Sequence, residues 1–263
     1  MSKAKNTKDG NFLKFLGTAG ARFVMIKQLR YSAGIWLHFK DTDLIIDPGP
    51  GALLRCSQAR PKLDPSGLDA IILTHKHLDH SGDVNVMIEA LTGGGFKKEG
   101  VLFSPKDAFG PEGVIFSYLE DSIGETVFLK TGVFKIKDVK FEAPLKNKHS
   151  VETYGLKFLL NGLVVSLVSD TAYFPRITEA YKDSDILILN VVSYQKREGM
   201  EHLCLDEALQ IIQSIRPPKT ILTHFGMTML KQKPHELEKK LQKELDLDIQ
   251  CAYDGMSLPL GAL

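Results

Sequence analysis

The sequence predicts an α/β fold in which sheets pack face to face beneath a cover of helices. Short strand-like runs recur through both halves of the 263 residues, whereas helical patterns are fewer. No repeat, low-complexity linker or break in composition divides the chain. Residues 11–263 therefore read as one domain behind a polar tail, expected to be disordered, over residues 1–10.

The elements follow in order. "FLKFLG" (12–17), "GIWLHF" (34–39), "DLIID" (43–47) and "LDAIILT" (68–74) are apolar runs bounded by turn formers, the pattern of strands. Residues 81–92 place Val84, Met87, Ile88 and Leu91 at helical spacing and predict a helix. "GVLFS" (100–104), "ETVFLK" (125–130), "GVFKIK" (132–137) and "VKFEA" (139–143) are further strands. "GLKFLL" (155–160) and "LVVSLVS" (163–169) flank Asn161-Gly162, a dipeptide that accepts positive φ at both positions of a tight hairpin turn. "DILILNVV" (185–192), "KTILTH" (219–224) and "IQCAY" (249–253) continue the series. Residues 205–215 align Leu205, Leu209, Ile212 and Ile215 on one helical face and stop before Pro217-Pro218, and Pro234 opens another helix over 234–245.

Charge bounds the partners. Lys+Arg 33 against Asp+Glu 32 leaves a net +1, so no global field gathers nucleic acid or anionic lipid. A small-molecule or short nucleotide substrate is the expectation, and a homodimer stays open. The start, "MSKAKNTKDG", lacks the apolar stretch of a secretory signal. No run approaches the roughly 18 apolar residues of a membrane span. Cys56, Cys204 and Cys251 are odd in number and scattered, which does not make a disulfide framework. A cytoplasmic protein is expected.

Chemistry concentrates in "THKHLDHSGD" (74–83), where His75, His77, Asp79 and His80 fall on the loop between a strand and a helix. Loops at strand ends are where rigid scaffolds display ligands. In an extended or turn conformation His75 and His77 point one way, and Asp79 and His80 face a neighbouring point. That suits two adjacent cations better than one. Imidazole with carboxylate is a donor set for zinc, manganese or iron. A lone histidine here would read as a surface turn residue; this density of ligands argues for a metal centre.

"THKHLDHSGD" resembles the HxHxDH motif of the metallo-β-lactamase superfamily, and the resemblance covers most of the chain because later ligands stand in the family's order. His149 lies in "KNKHSVETYG", Asp170 ends "LVVSLVSDT" and His224 ends "KTILTHFG". The resemblance implies a four-layer αββα sandwich, two mixed central sheets covered by helices, with a metal site at the edge between the sheets. It implies two divalent metal ions, zinc first, with manganese or iron as alternatives. His75, His77 and His149 would hold one, Asp79, His80 and His224 the other, and Asp170 would bridge them. Asp79 also stands as a catalytic candidate. Two such ions about 3.5–4 Å apart clamp attacking and leaving oxygens, and coordination lowers the pKa of bound water to roughly 7. A bridging carboxylate offsets part of their repulsion.

Within the superfamily the residues resemble the phosphodiesterase and RNase Z-like branch. Asp170, not a cysteine, stands where the metals would join, which disfavours lactam hydrolysis. His77 occupies a position that is glutamate in the di-iron flavoproteins, which favours hydrolysis over oxygen reduction. "EHLCLDEALQIIQSIRPPKTILTHF" resembles the stretch in which a further histidine precedes a helix and the last metal histidine. His202 would then protonate or orient the leaving oxygen, work for a group titrating near neutral pH. Its plainer reading is a histidine at a helix start with no proton role. The interval from His149 to Asp170 has no room for the tRNA-clamping arm of RNase Z, and "LILNVVS" carries Asn190 and its neighbours in place of that branch's glutamate. Both departures disfavour tRNA maturation.

The expected function is a di-metal-dependent hydrolase in which hydroxide attacks a phosphodiester or related ester. The alternatives are a glyoxalase II-like thioesterase, an iron-dependent oxygenase on the same fold, and a non-catalytic metal-binding module. The short stretch after His224 weakens the first, which needs a helical glutathione-binding domain.

Lesser features complete the reading. "IIDPGPG" (45–51) resembles the superfamily's DxG turn, where Asp47 either steadies the site's histidines by hydrogen bonds or merely forms a turn. "LGTAGARF" and "RYSAGIWL" resemble loops of the same branch, where Arg22 and Arg30 either meet an anionic group or, the commoner fate, are solvated at the surface. Asp206 suits the positive end of a helix dipole. Cys204 alone is thin as a ligand. "TGGGFKKEG" (92–100) lacks Walker spacing and reads as a helix-terminating loop, and "YDGMSL" (253–258) resembles the branch's C-terminal strand. Loops 92–100 and 106–118 are expected to cover the cleft.

Overall fold

The computed structural model describes residues 10–261, so the expected tail lies outside the described residues apart from Gly10. The strands are β1 (Phe12–Phe15), β2 (Ile35–Phe39), β3 (Thr42–Ile46), β4 (Ala70–Ile72), β5 (Glu99–Ser104), β6 (Ile123–Phe128), β7 (Gly132–Ile136) and β8 (Val139–Ala143). They continue with β9 (Leu156–Leu160), β10 (Leu163–Val168), β11 (Ile186–Ser193), β12 (Leu203–Cys204), β13 (Lys219–Thr223), β14 (Ile249–Cys251) and β15 (Ser257–Pro259). A 7-stranded sheet has the order β15-β1-β2-β3-β4-β5-β6, and an 8-stranded sheet the order β14-β13-β11-β10-β9-β8-β7 with β12 beside β11.

Both sheets are mixed. Antiparallel strands β1 to β3 lead into parallel β3 to β6, and antiparallel β7 to β10 lead into parallel β10, β11, β13 and β14. The turn at Asn161 (φ 51) and Gly162 (φ 92) closes β9 onto β10, with Leu160 opposite Leu163, as the dipeptide predicts.

Alternation along the strands builds three apolar layers. Ile46, Ile72, Phe141, Phe158, Ile186 and Ile188 face one another between the sheets. Ile45, Ile71 and Leu102 point the other way, onto helices Ala52–Gln58 and Val84–Leu91. Leu187, Leu189 and Leu222 likewise meet helices Leu205–Ile215 and Pro234–Leu245. Strands buried on both faces read as continuous apolar runs. The architecture is the four-layer αββα sandwich. No helix among the described residues is long and apolar enough to cross a membrane.

Departures from the sequence reading have local causes. The helix over 81–92 is two pieces, Leu78–Ser81 and Val84–Leu91. Asp83 between them gives its N–H to Pro48 O at 2.9 Å, which pins the histidine loop to the turn after β3. Gly49 makes that close approach feasible: a Cβ there would stand 2.0 Å from Asp79 O. Helices Ala21–Ile26, Ala52–Gln58, Ser117–Glu120, Arg176–Ala180 and Met227–Leu230 are too short to show a helical period. Loop 92–100 does not cover the cleft. It ends where Val101 N donates to Asp69 O at the start of β4, and the histidines lie at the other end of that strand. Segment 106–118 does lie on the histidine side: Lys76 Nζ is 3.7 Å from Asp107 Oδ2 and donates to Glu112 O.

Candidate metal centre

Parallel strands deliver their C-terminal ends to one rim, and most site residues lie at or just after such an end. Asp47 follows β3, His75 follows β4, Asp170 follows β10, Asn190 lies near the end of β11 and His224 follows β13. Contacts that hold the sheets together there include Tyr154 N to Thr74 O at 3.2 Å, Phe225 N to Thr18 O at 2.9 Å and Gly20 N to Phe225 O at 3.0 Å. Asp47 (φ 51) and His224 (φ 60) sit in the left-handed region, a sparsely populated conformation that packing around a functional site sustains. Gly20 lies against His224, and a Cβ on it would be 2.0 Å from the histidine's carbonyl oxygen.

The seven predicted ligand residues converge. His149 Nε2 is 3.0 Å from His77 Nδ1, and the His75 ring packs edge-on against both. On the other side His80 Nε2 is 3.3 Å from His224 Nε2, and Asp79 Oδ2 is 3.5 Å from His224 Nε2 and 3.8 Å from His80 Nε2. Asp170 lies between the groups. Its Oδ2 is 3.8 Å from His75 Nε2, 3.4 Å from His80 Nε2, 3.3 Å from His224 Nε2 and 3.2 Å from His202 Nε2.

These residues fit divalent cations. Donors 2.0–2.1 Å from a tetrahedral ion stand about 3.3 Å from one another, and the separations here run from 3.0 to 3.8 Å. His75 Nε2 is buried and has no hydrogen-bond partner, a costly state for a polar atom that a cation would satisfy. The metal-capable groupings are His75, His77 and His149, then Asp79, His80 and His224, then His149, Asp170 and His202. Asp47, His75 and His80 also cluster, yet both Asp47 oxygens are already engaged.

Neighbouring groups decide which atom of each ligand faces inward. Asp47 Oδ1 accepts from Thr74 N at 2.6 Å, and its Oδ2 accepts from Thr74 Oγ1 at 2.7 Å and meets His80 Nδ1 at 2.9 Å. Thr74 Oγ1 also contacts His75 Nδ1 at 3.1 Å. His149 Nδ1 faces Glu201 O at 3.0 Å. Three Nε2 atoms are thereby turned to the centre. Asn190 Nδ2 donates to Asp170 Oδ1 at 2.8 Å, and Asn147 Nδ2 donates to the Asp170 carbonyl at 3.0 Å. Asn190 thus leaves Asp170 one oxygen for the histidines. From the sequence Asn190 stands out only in place of a glutamate, and Thr74 and Asn147 carry no motif. A buried polar residue inside "ILILNVVS" was the available signal.

Charge within the centre is strongly coupled. Burial disfavours ionising Asp170, but His224, His80 and His202 overcome it and hold the carboxyl well below its usual range. For His80, burial opposes protonation and Asp170, Asp47 and Asp79 outweigh it, so the imidazole stays charged well above its ordinary pKa. His224 balances burial against Asp170 in the same way and is pushed up to about 9. Burial lowers His75, His77 and His149, favouring the neutral ligand form. In the metal-free protein at pH 7, His80 and His224 therefore carry protons that an incoming cation must displace. Titrating zinc into it in buffers of different ionisation enthalpy should show net proton release, and binding should tighten from pH 7 to 9. A heat independent of buffer would contradict this.

Other sequence candidates divide. His202 reaches the centre, packing edge-on against His149, with its Nδ1 buried and unpartnered. Arg30 is structural: Nη1 donates to Thr18 Oγ1 and Ala252 O at 2.8 Å each, and the guanidinium covers Phe225. Arg22 stands exposed on helix Ala21–Ile26. Asp206 lies in the first turn of helix Leu205–Ile215, and Cys204 caps that helix, its N–H bonded to Glu207 Oε2.

The family model for the beta-lactamase superfamily domain matches residues 42–225, an interval that holds every one of the converging histidines and aspartates. An uncharacterized protein of Methanocaldococcus jannaschii is 31% identical over 224 residues, covering 82% of this chain and 83% of the relative. The metallo-beta-lactamase fold protein YhfI from Bacillus subtilis superposes with a TM-score of 0.77 at 19% identity, over 95% of this chain and 99% of that one. A diphosphatase from the PhnP family does so with a TM-score of 0.72 at 20% identity, over 95% and 98%. At such identities the two structures speak for the fold. With the domain match spanning the rim from β3 to His224, the chain belongs to the beta-lactamase superfamily and has the metallo-β-lactamase fold.

Proposed function

We propose that the chain is a phosphodiesterase-like hydrolase that works with two divalent cations, zinc first, with manganese or iron as alternatives. His75, His77 and His149 would hold one, Asp79, His80 and His224 the other, and Asp170 would be shared. Bound there, such ions supply Lewis acidity, polarising the phosphoryl oxygen and making water a usable nucleophile near neutral pH. The observation that carries the reading is Asp170 Oδ2 among four histidine Nε2 atoms, with its other oxygen held by Asn190.

The chain's own residues supply orientation and a proton. His202 is partly exposed at the rim, unlike fully buried His75, so its ring can meet a leaving oxygen. Asp170 Oδ2, 3.2 Å from His202 Nε2, orients that imidazole. Asp79 is the carboxylate open to the second group of histidines. The similar diphosphatase favours phosphoryl chemistry. Three buried, unbridged cysteines agree with a cytoplasmic setting.

The test is hydrolysis of bis(p-nitrophenyl) phosphate, lost with a chelator and restored by Mn²⁺ or Zn²⁺. Turnover of a thioester or a lactam without diester cleavage would overturn the reading. For His202→Ala, kcat should fall by about 10²–10⁴ with metal content retained. Loss of metal from that variant would make His202 a ligand instead.

A further inference from the structure

We infer that the loop after β11 forms an anion subsite for a second phosphate of the substrate, a refinement that rests on the diesterase reading. Residues 194–201 leave β11 between the segments that carry His202 and His224. Val191 pairs with Leu203, Gly226 N donates to Val192 O at 3.0 Å, and Tyr194 N donates to Thr228 Oγ1 at 3.1 Å. A concave pocket opens on this scaffold, lined by Tyr194, Lys196, Arg197, Thr228 and Lys231 together with two glutamines, and no acid lines it.

The cations there are not equivalent. Lys196 Nζ is tied to Glu207 Oε1 at 3.0 Å and forms a wall. Arg197 and Lys231, among the described residues, have no carboxylate within ion-pair distance. In a chain whose charges nearly balance, two uncompensated cations on one concavity make a local anion trap. Arg197 offers a planar fork that matches a phosphoryl group. The Thr228 oxygen accepts from Tyr194 N, which leaves its hydroxyl proton for an incoming oxygen. Thr228 follows His224 by four residues, so its Cα lies no more than roughly 14 Å from that of His224. A separate pocket suits a phosphorylated dinucleotide with its scissile bond at the centre, because the two phosphates of a plain diphosphate are too close together to occupy both places. One discrete pocket, with no wider excess of charge, favours a single terminal phosphate over a tracked polymer.

The experiment compares thymidylyl-thymidine with its 5′- and 3′-phosphorylated forms, using the metal-loaded protein and the double variant Arg197→Gln/Lys231→Gln. One terminal phosphate should raise wild-type kcat/KM by about ten- to a hundredfold, chiefly through KM, and the variant should bring that ratio near one. No advantage from either phosphate, or an advantage that survives the double variant, overturns the inference. If no diester is cleaved, the diesterase reading fails, and the pocket is judged alone by equilibrium dialysis of inorganic pyrophosphate. Binding weakened about tenfold in the folded variant supports the subsite; equal retention overturns it.

Discussion

Asp170→Asn is expected to lower diester hydrolysis by more than about a thousandfold while the protein still folds. The substitution keeps the shape but removes the anion that faces His75, His80, His202 and His224. If the new carbonyl keeps the bond from Asn190, an NH₂ group points at ring nitrogens that are themselves donors or ligand atoms. No shared carboxylate then remains to offset repulsion between two cations. Metal analysis should show less than full occupancy, and circular dichroism should stay near wild type. A variant with full metal content and unimpaired turnover would remove Asp170 from the chemistry.

Asp47→Ala is expected to cost about 3–5 kcal/mol of stability, because it breaks a buried charged pair with His80. It also strands the Thr74 N–H and hydroxyl, which both donate to that carboxylate. Tm should fall by roughly 6–20 °C for a chain of this size. Zinc affinity should fall by about 10- to 100-fold, since His80 would lose the partner that turns its Nε2 inward. Asp47→Asn, which keeps one acceptor, should recover part of both losses. A wild-type melting curve for Asp47→Ala would show that the DxG turn carries no weight at the site.

Legibility depended on whether the responsible physics was local. His75, His77, Asp79 and His80 share one loop, so their spacing alone signalled ligands, and their convergence follows. His149, Asp170 and His224 are single residues in separate loops, legible through family order and the apolar strands before Asp170 and His224. His202 could be read only as a helix-start residue or an acid, and its 3.2 Å approach to Asp170 comes from β12 pairing beside β11. Arg30 reads from the sequence as a solvated surface arginine or an anion contact, and packing instead commits it to Thr18 and Ala252.

The sequence by itself determined the long strands, the two long helices and the metal-capable loop, because continuous apolar runs, helical spacing and ligand density are written into contiguous residues. Only the tertiary structure decided the roles of Asn190, Asn147 and Thr74, and the place of loop 92–100 far from the cleft. Those outcomes depend on which strand ends meet at one rim. That meeting is set by pairing between residues more than a hundred positions apart, such as Ala19 with Phe225, and short-range pattern carries no trace of it.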